Sequence, residues 1–101
     1  MAAARLFQEI GNLMYLPWCL EGLAEVAAAR GHYTRAAELD AAREALRAQV
    51  GVLLPPIHPA GYMRMLAVVR DGLPREAFDE ARTPALHWSP QHIIAAALSD
   101  T

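Results

Sequence analysis

Apolar residues recur every three or four positions along most of this chain, and Pro and Gly interrupt the pattern at intervals. No stretch alternates apolar and polar residues over a useful length, so no strand is predicted. The spacing predicts six helices, over about residues 2–10, 17–30, 34–50, 60–71, 74–82 and 90–99. The chain is therefore expected to be all-α.

The ends of these predicted helices have local causes. Gly31 and Gly51 follow apolar-periodic runs, at a position where a left-handed C-terminal cap favours glycine. Ser89 precedes Pro90 and is predicted to cap the last helix. The segment 52–59 contains three prolines and is predicted to be an extended crossing that no helix can continue through.

A short internal repeat is the most informative feature of the chain. Gly31 and Ala36 recur as Gly72 and Ala77, 41 positions later. A glycine at a turn, followed by a small residue one turn later, allows two antiparallel helices to approach closely, which is typical of helix-turn-helix repeats. We expect one domain over residues 1–101, with a half-repeat at 1–14, a helix pair at 15–51, the crossing at 52–59, and a second helix pair with a C-terminal capping helix at 60–101.

The predicted helix at 34–50 has two apolar faces. The first is a ridge of small residues and the second is a ridge of larger ones: Ala37, Ala41, Ala45 and Ala48, then Leu39, Ala42, Leu46 and Val50. A helix with two apolar faces needs neighbours on both sides, as in a stacked solenoid.

Composition narrows the possible functions. The chain has nine Arg and no Lys, with a net charge of −2, and the arginines are interspersed with acids, so no basic stripe for nucleic acid is predicted. The absence of Lys excludes a phosphate-loop or Schiff-base lysine. A single cysteine excludes an internal disulfide and fits the reducing cytoplasm, where we expect the chain to be located. No signal peptide or membrane span is predicted.

The residues that could carry chemistry favour ordinary structural roles. Cys19 has no neighbouring His or Lys and is predicted to be a small buried residue. Glu76, Asp79 and Glu80 are expected to form a solvated helix face. The histidines at 32, 58, 87 and 92 lack the spacing of a metal site, so we predict no catalytic residue, cofactor or metal.

Two candidate sites remain, one for a protein and one for a small molecule. The first is an apolar face at the N-terminus that an isolated half-repeat leaves uncovered: Leu6, Phe7, Ile10, Leu13 and Met14. The alternative is an effector pocket lined by Trp18, Tyr62 and Trp88. A stripe over residues 62–69 that includes Met63 and Met65 is either core or an adaptable binding surface, and core is the more common explanation.

Several segments resemble one bacterial family. Residues 19–31 read CLEGLAEVAAARG, residues 35–39 and 42–47 read RAAEL and AREALR, and residues 53–56 read LLPP. Together they resemble the C-terminal tetratricopeptide-like region of bacterial LuxR-type and antibiotic-regulator-type transcriptional regulators and of related signal-transduction ATPases. Several residues depart from that family. Asp40 stands where Leu is usual, Arg43 stands where Ala is common, residues 82–86 lack the usual Trp, and Gln91 and His92 replace an acidic pair.

This resemblance implies a short solenoid of five to six helices, stacked as tetratricopeptide-like antiparallel hairpins. It implies a non-catalytic interaction or structural module involved in transcription regulation, not an enzyme. The implied partners are upstream repeats of a parent chain, a partner helix or a second copy. No direct binding to nucleic acid or membrane is expected, since the family's nucleotide-binding and DNA-binding parts have no counterpart here. The first predicted helix resembles only half a repeat, so Met1 is expected to lie inside a longer protein.

Overall fold

A computed structural model describes residues 16–50 and 58–99. Those ranges contain five helices and no strand: α1 (Leu16–Ala29), α2 (Tyr33–Val50), α3 (Pro59–Gly72), α4 (Arg75–Ala85) and α5 (Pro90–Ser99). The all-α prediction is confirmed, and each helix agrees with its predicted bounds to within three residues. The helix predicted at 2–10, the half-repeat at 1–14 and residues 52–57 of the crossing lie outside the described residues. Pro59 is predicted to belong to the crossing but is the first residue of α3, where its missing N–H costs nothing.

The predicted caps at the end of α1 and the start of α5 are both present. Gly31 has a φ of 79°, and its N–H donates to the Ala28 carbonyl at 3.0 Å. The next N–H, of His32, donates to the Ala27 carbonyl at 2.8 Å, which completes the paired bonds of a Schellman motif. At α5, the Ser89 hydroxyl accepts a hydrogen bond from the His92 N–H at 3.1 Å.

Gly72 ends α3 for a different reason from the one at Gly31. Within the described residues, Gly31 alone has a positive φ, so Gly72 is not needed for its backbone conformation. A Cβ at Gly72 would instead overlap the ring of Tyr33 at the start of α2. The repeat therefore pairs two glycines that serve different purposes, a left-handed turn in one case and a close approach in the other.

α2 is the central helix and contacts each of the other four. Its larger ridge is completely buried at Leu39, Ala42 and Leu46, which confirms that this helix has apolar neighbours on more than one side. The small ridge is buried at Ala37, Ala41 and Ala45, whereas Ala48 is exposed. α1 also contacts α3, and α2 also contacts α4, so each helix of the first hairpin lies against its counterpart in the second.

α5 lies antiparallel along α2. Near the start of α5, the carbonyl of Trp88 accepts a hydrogen bond from Gln49 at 3.0 Å. At its other end, the Ala96 carbonyl accepts one from Arg35 at 2.8 Å. α5 also contacts α1, and its Ile93 and Ile94 are buried in the core. The predicted C-terminal capping helix therefore packs on the first hairpin.

Candidate functional site: a groove between α1 and α3

An open groove of about 290 Å³ separates α1 from α3. Seven residues line it: Glu25, Ala28, Ala29, Gly61, Arg64, Met65 and Val68. Small residues come from both helices at positions where a longer side chain would fill the space. The groove is therefore a consequence of alanine and glycine on the facing sides of two helices.

The two helices that form the groove run in the same direction. The Glu25 carboxylate lies 3.0 Å from the position that a Gly61 Cβ would occupy, so the middle of α1 faces the start of α3. The end of α3, at Gly72, reaches Tyr33, just beyond the end of α1. Parallel walls give the groove a long axis that an elongated partner segment can follow.

Exposed apolar side chains continue from the groove over the outer face of α3. Val68 is 44% exposed and Met63 is 62% exposed. Ala60 and Ala67 are also exposed on this helix. Met63 follows Ala60 by three residues and Ala67 follows it by seven, so all three lie on one face. This face offers apolar area that the described part of the chain does not cover.

The stripe at 62–69 divides between core residues and one exposed residue. Tyr62, Met65 and Val69 are buried, and Leu66 packs partly against the core. Met63 instead points to solvent, because the apolar positions extend round more of α3 than the core can cover. That this exposed methionine belongs to an adaptable binding surface stays a prediction.

The groove also carries one charge of each sign. Glu25 on α1 is half-buried and Arg64 on α3 is exposed. Neither side chain has an ion-pair partner among residues 16–50 and 58–99. The groove therefore presents one carboxylate on its α1 side and one guanidinium on its α3 side.

The two helices of the groove also contribute to a buried group of polar side chains, which we call the ionic network: Glu21, Asp40, Arg43, Tyr62 and Arg82. Arg43 donates from Nε to Glu21 Oε2 at 2.6 Å and from Nη1 to the Tyr62 hydroxyl at 3.0 Å. The exposed fractions of Glu21, Asp40 and Arg43 are only 4%, 2% and 3%. Charges so deeply buried persist only when they are paired and hydrogen-bonded, as they are here.

Asp40 is the second centre of the ionic network. Its Oδ1 accepts a hydrogen bond from the Tyr62 hydroxyl at 2.6 Å, and its Oδ2 accepts one from Arg82 Nη1. Arg82 also pairs with Glu44 at 2.7 Å, at the solvent edge of the network. The network thus joins α1, α2, α3 and α4 through side chains alone.

The surroundings shift two pKa values in the ionic network. Burial, followed by the hydrogen bond to Asp40 and its negative charge, raises the pKa of the Tyr62 phenol well above its usual range. Burial by itself lowers the pKa of Arg82, but the charges of Asp40 and Glu44 outweigh it and raise that pKa. Tyr62 therefore stays a protonated donor, and Arg82 stays a cation.

The ionic network is not predicted from the sequence. The available signal is the pair of family departures, Asp40 and Arg43, which interrupt a helix whose other inward positions are Leu and Ala. The partners of these two residues cannot be predicted from their positions in the sequence, since Glu21, Tyr62 and Arg82 lie on three other helices.

The predicted site residues are placed as follows. The face at Leu6, Phe7, Ile10, Leu13 and Met14 lies outside the described residues. In the proposed pocket, Trp18 is half-buried, the Tyr62 hydroxyl is taken by the ionic network, and Trp88 stacks on His92 with ring centroids 4.3 Å apart. None of these three aromatic residues lines the groove, and the pocket stays a prediction.

Other candidate groups lie at the surface. Cys19 is exposed, so the prediction that it is buried is wrong: its position faces outward from α1. Neighbouring atoms still desolvate the thiol enough to raise its pKa, which makes the reactive thiolate rarer. Glu76, Asp79 and Glu80 are all exposed, as predicted. Across residues 16–50 and 58–99, no three His, Cys, Asp or Glu side chains are grouped to hold a metal ion.

Comparison with known proteins gives no match to a family model, a curated protein or a solved structure. The resemblance to the bacterial regulators therefore stays a prediction. None of the five described helices combines the length and the apolar character needed to cross a membrane.

Proposed function

We propose that this chain is a non-catalytic interaction module, and that the groove between α1 and α3 binds an apolar helix of a partner protein. The observation that carries the proposal is an open groove with a small-residue floor beside the exposed side chains of Val68 and Met63. Helix-in-groove recognition uses such a surface, with anchors spaced along one face of the incoming helix.

The groove also indicates the chemistry of the partner. Ala28, Ala29 and Gly61 leave room for a close helix–helix approach, so small apolar residues on the partner fit best. Glu25 and Arg64, which have no ion-pair partner in the described part of the chain, favour a base and an acid at the two sides of that apolar stripe. At about 290 Å³ the groove is near the lower end of small-molecule pockets, but it is open to solvent and would cover little of a drug-sized ligand, which makes such an effector the weaker alternative.

We further propose that the two hairpins, α1–α2 and α3–α4, are successive units of a tetratricopeptide-like solenoid. The contacts of α1 with α3 and of α2 with α4 support this arrangement. With the resemblance described above, it suggests the C-terminal part of a bacterial transcriptional regulator or signalling ATPase. The partner helix then belongs to the rest of that parent protein, to a separate protein or to a second copy.

The proposal can be tested with short helical peptides selected from a displayed library against the full chain. Affinity is then measured by fluorescence anisotropy for the wild type, Val68→Glu and Val26→Glu. The two valines make a matched pair, because they are 44% and 49% exposed and only Val68 lines the groove. Loss of binding in Val68→Glu alone supports the proposal. Equal affinity for both variants, or a selection that yields no groove-dependent peptide, contradicts it.

A further inference from the structure

One side chain of α2 holds both walls of the groove. The guanidinium of Arg43 donates to Glu21 on α1 at 2.6 Å and to Tyr62 on α3 at 3.0 Å. It also lies over the Tyr62 ring, with Cζ 4.5 Å from the ring centroid. The rigid fork of the guanidinium therefore fixes the position of both helices against a single group.

The two attachment points lie next to the floor of the groove. Glu21 precedes Glu25 by about one helical turn, and Tyr62 directly follows Gly61. A change in the position of either attachment point therefore moves a groove wall, with little helix in between to absorb the shift.

Apolar packing between α1 and α3 is poorly suited to set their spacing. Three of the seven lining residues, Ala28, Ala29 and Gly61, have no side chain beyond Cβ, and Met65 and Val68 on α3 face these small residues on α1 with little to interlock against. A smooth contact of this kind allows sliding, whereas buried charge-assisted hydrogen bonds require particular distances and directions. The directional contacts are those of the ionic network.

The other half of the ionic network ties α4 to the same frame. Asp40 accepts hydrogen bonds from Tyr62 and from Arg82, so α3 and α4 are held by one carboxylate on α2. The second hairpin is thus positioned as a unit against the first.

We infer that Arg43 is a positioning residue, which sets the spacing of α1 and α3 and thereby the width of the groove. The inference rests on the proposed function for what the groove binds, but the spacing itself is a property of the free protein. Tyr62 is the link that carries this effect to α3.

The spacing can be measured between spin labels on Cys19, the only cysteine of the chain, and on an introduced Ala67→Cys. Both positions are exposed, one on α1 and the other on α3. Tyr62→Phe keeps the ring and removes only the hydroxyl that joins α3 to Arg43 and Asp40. Tyr33→Phe is the matched control, because no hydrogen bond of the Tyr33 hydroxyl is found within the described ranges.

We expect a single narrow distance distribution in the wild type and in Tyr33→Phe, and a broader one with a longer second maximum in Tyr62→Phe. The double variant Glu21→Leu with Arg43→Met should broaden the distribution as well. The single variant Glu21→Gln keeps an acceptor for Arg43 and should keep the narrow distribution of the wild type. Unchanged distances in Tyr62→Phe and in the double variant overturn the inference. If distances shift as expected but no peptide binds the wild type, the positioning role stands and the proposed function fails.

Discussion

The hydroxyl of Tyr62 donates a hydrogen bond to Asp40 Oδ1 at 2.6 Å and so joins α3 to the central helix α2 inside the core. The same oxygen accepts a hydrogen bond from Arg43 at 3.0 Å. One phenol therefore satisfies a buried carboxylate and a buried guanidinium together. Removing it takes one hydrogen bond from Asp40, which keeps Arg82, and one from Arg43, which keeps Glu21, in a place that water does not reach easily.

Tyr62→Phe is expected to lower the free energy of unfolding by about 1–3 kcal/mol, because it takes a hydrogen bond from each of two buried charged groups. Urea denaturation followed by circular dichroism measures the change. Tyr33→Phe, the same substitution at a half-buried position, is expected to change stability much less. Equal losses in the two variants would show that the hydroxyl of Tyr62 has no special role.

Alkaline pH is expected to destabilise the fold through Tyr62. The folded state holds the pKa of this phenol far above its usual value, which is about 10 in the unfolded chain. Above that pH the unfolded state loses the proton and the folded state keeps it, so stability is full below about pH 10 and declines above it. Urea midpoints between about pH 9 and 11.5 measure the decline, which should be shallower in Tyr62→Phe; parallel declines would contradict this account.

Replacing both members of a buried ion pair is expected to cost less than replacing one. Arg43→Met alone leaves Glu21 charged and alone in the core, for a loss of about 3–5 kcal/mol. Adding Glu21→Leu should recover most of that loss, because two apolar side chains can fill the same volume without a desolvated charge. A double-mutant cycle in urea tests the prediction, and simple additivity of the two losses would refute it.

Two glycines should respond in opposite directions to the same substitution. Gly31 has a φ of 79°, where alanine is strained, so Gly31→Ala is expected to destabilise the fold by about 1–2 kcal/mol. Gly22 lies within α1 with no atom within 4 Å of an added Cβ, so Gly22→Ala should stabilise it by up to about 1 kcal/mol. Thermal unfolding of both variants checks the signs, and a gain for Gly31→Ala would argue against the left-handed turn.

Gly72→Ala should also destabilise the fold, but through the ring of Tyr33, which the new Cβ would meet. Overpacking of this kind typically costs about 1–3 kcal/mol. In a Tyr33→Ala background the ring is gone, so the loss from Gly72→Ala should disappear. An undiminished loss in that background would mean that the contact does not explain the glycine.

Local signals in the sequence predict local structure well. Gly31, Ser89 and the prolines act within a few residues of their own positions, so the helix bounds and two caps follow from the sequence alone. Position along a helix also predicts that α2 is buried on more than one side, since Leu39 and Leu46 share one ridge and Ala37 lies on another.

Features that depend on contacts between residues far apart in the chain cannot be predicted from these local signals. In the sequence, Asp40 and Arg43 are isolated departures from the pattern of the bacterial regulators. Only the folded chain brings Tyr62 and Arg82, from other helices, into contact with them. Cys19 and Met63 are apolar residues at helical spacing, and only the packing of neighbouring helices decides that both face outward. The groove itself depends on which sides of α1 and α3 meet, which their separate sequences do not specify.

The most direct test of the central claim is the affinity of groove-selected helical peptides for Val68→Glu and Val26→Glu. The account predicts that a charge at Val68, within the groove, reduces affinity at least tenfold, a change of about 1.4 kcal/mol. It predicts that the same charge at Val26, on another side of α1, leaves affinity near the wild-type value. If both variants bind equally well while remaining folded, the groove between α1 and α3 is not the binding site.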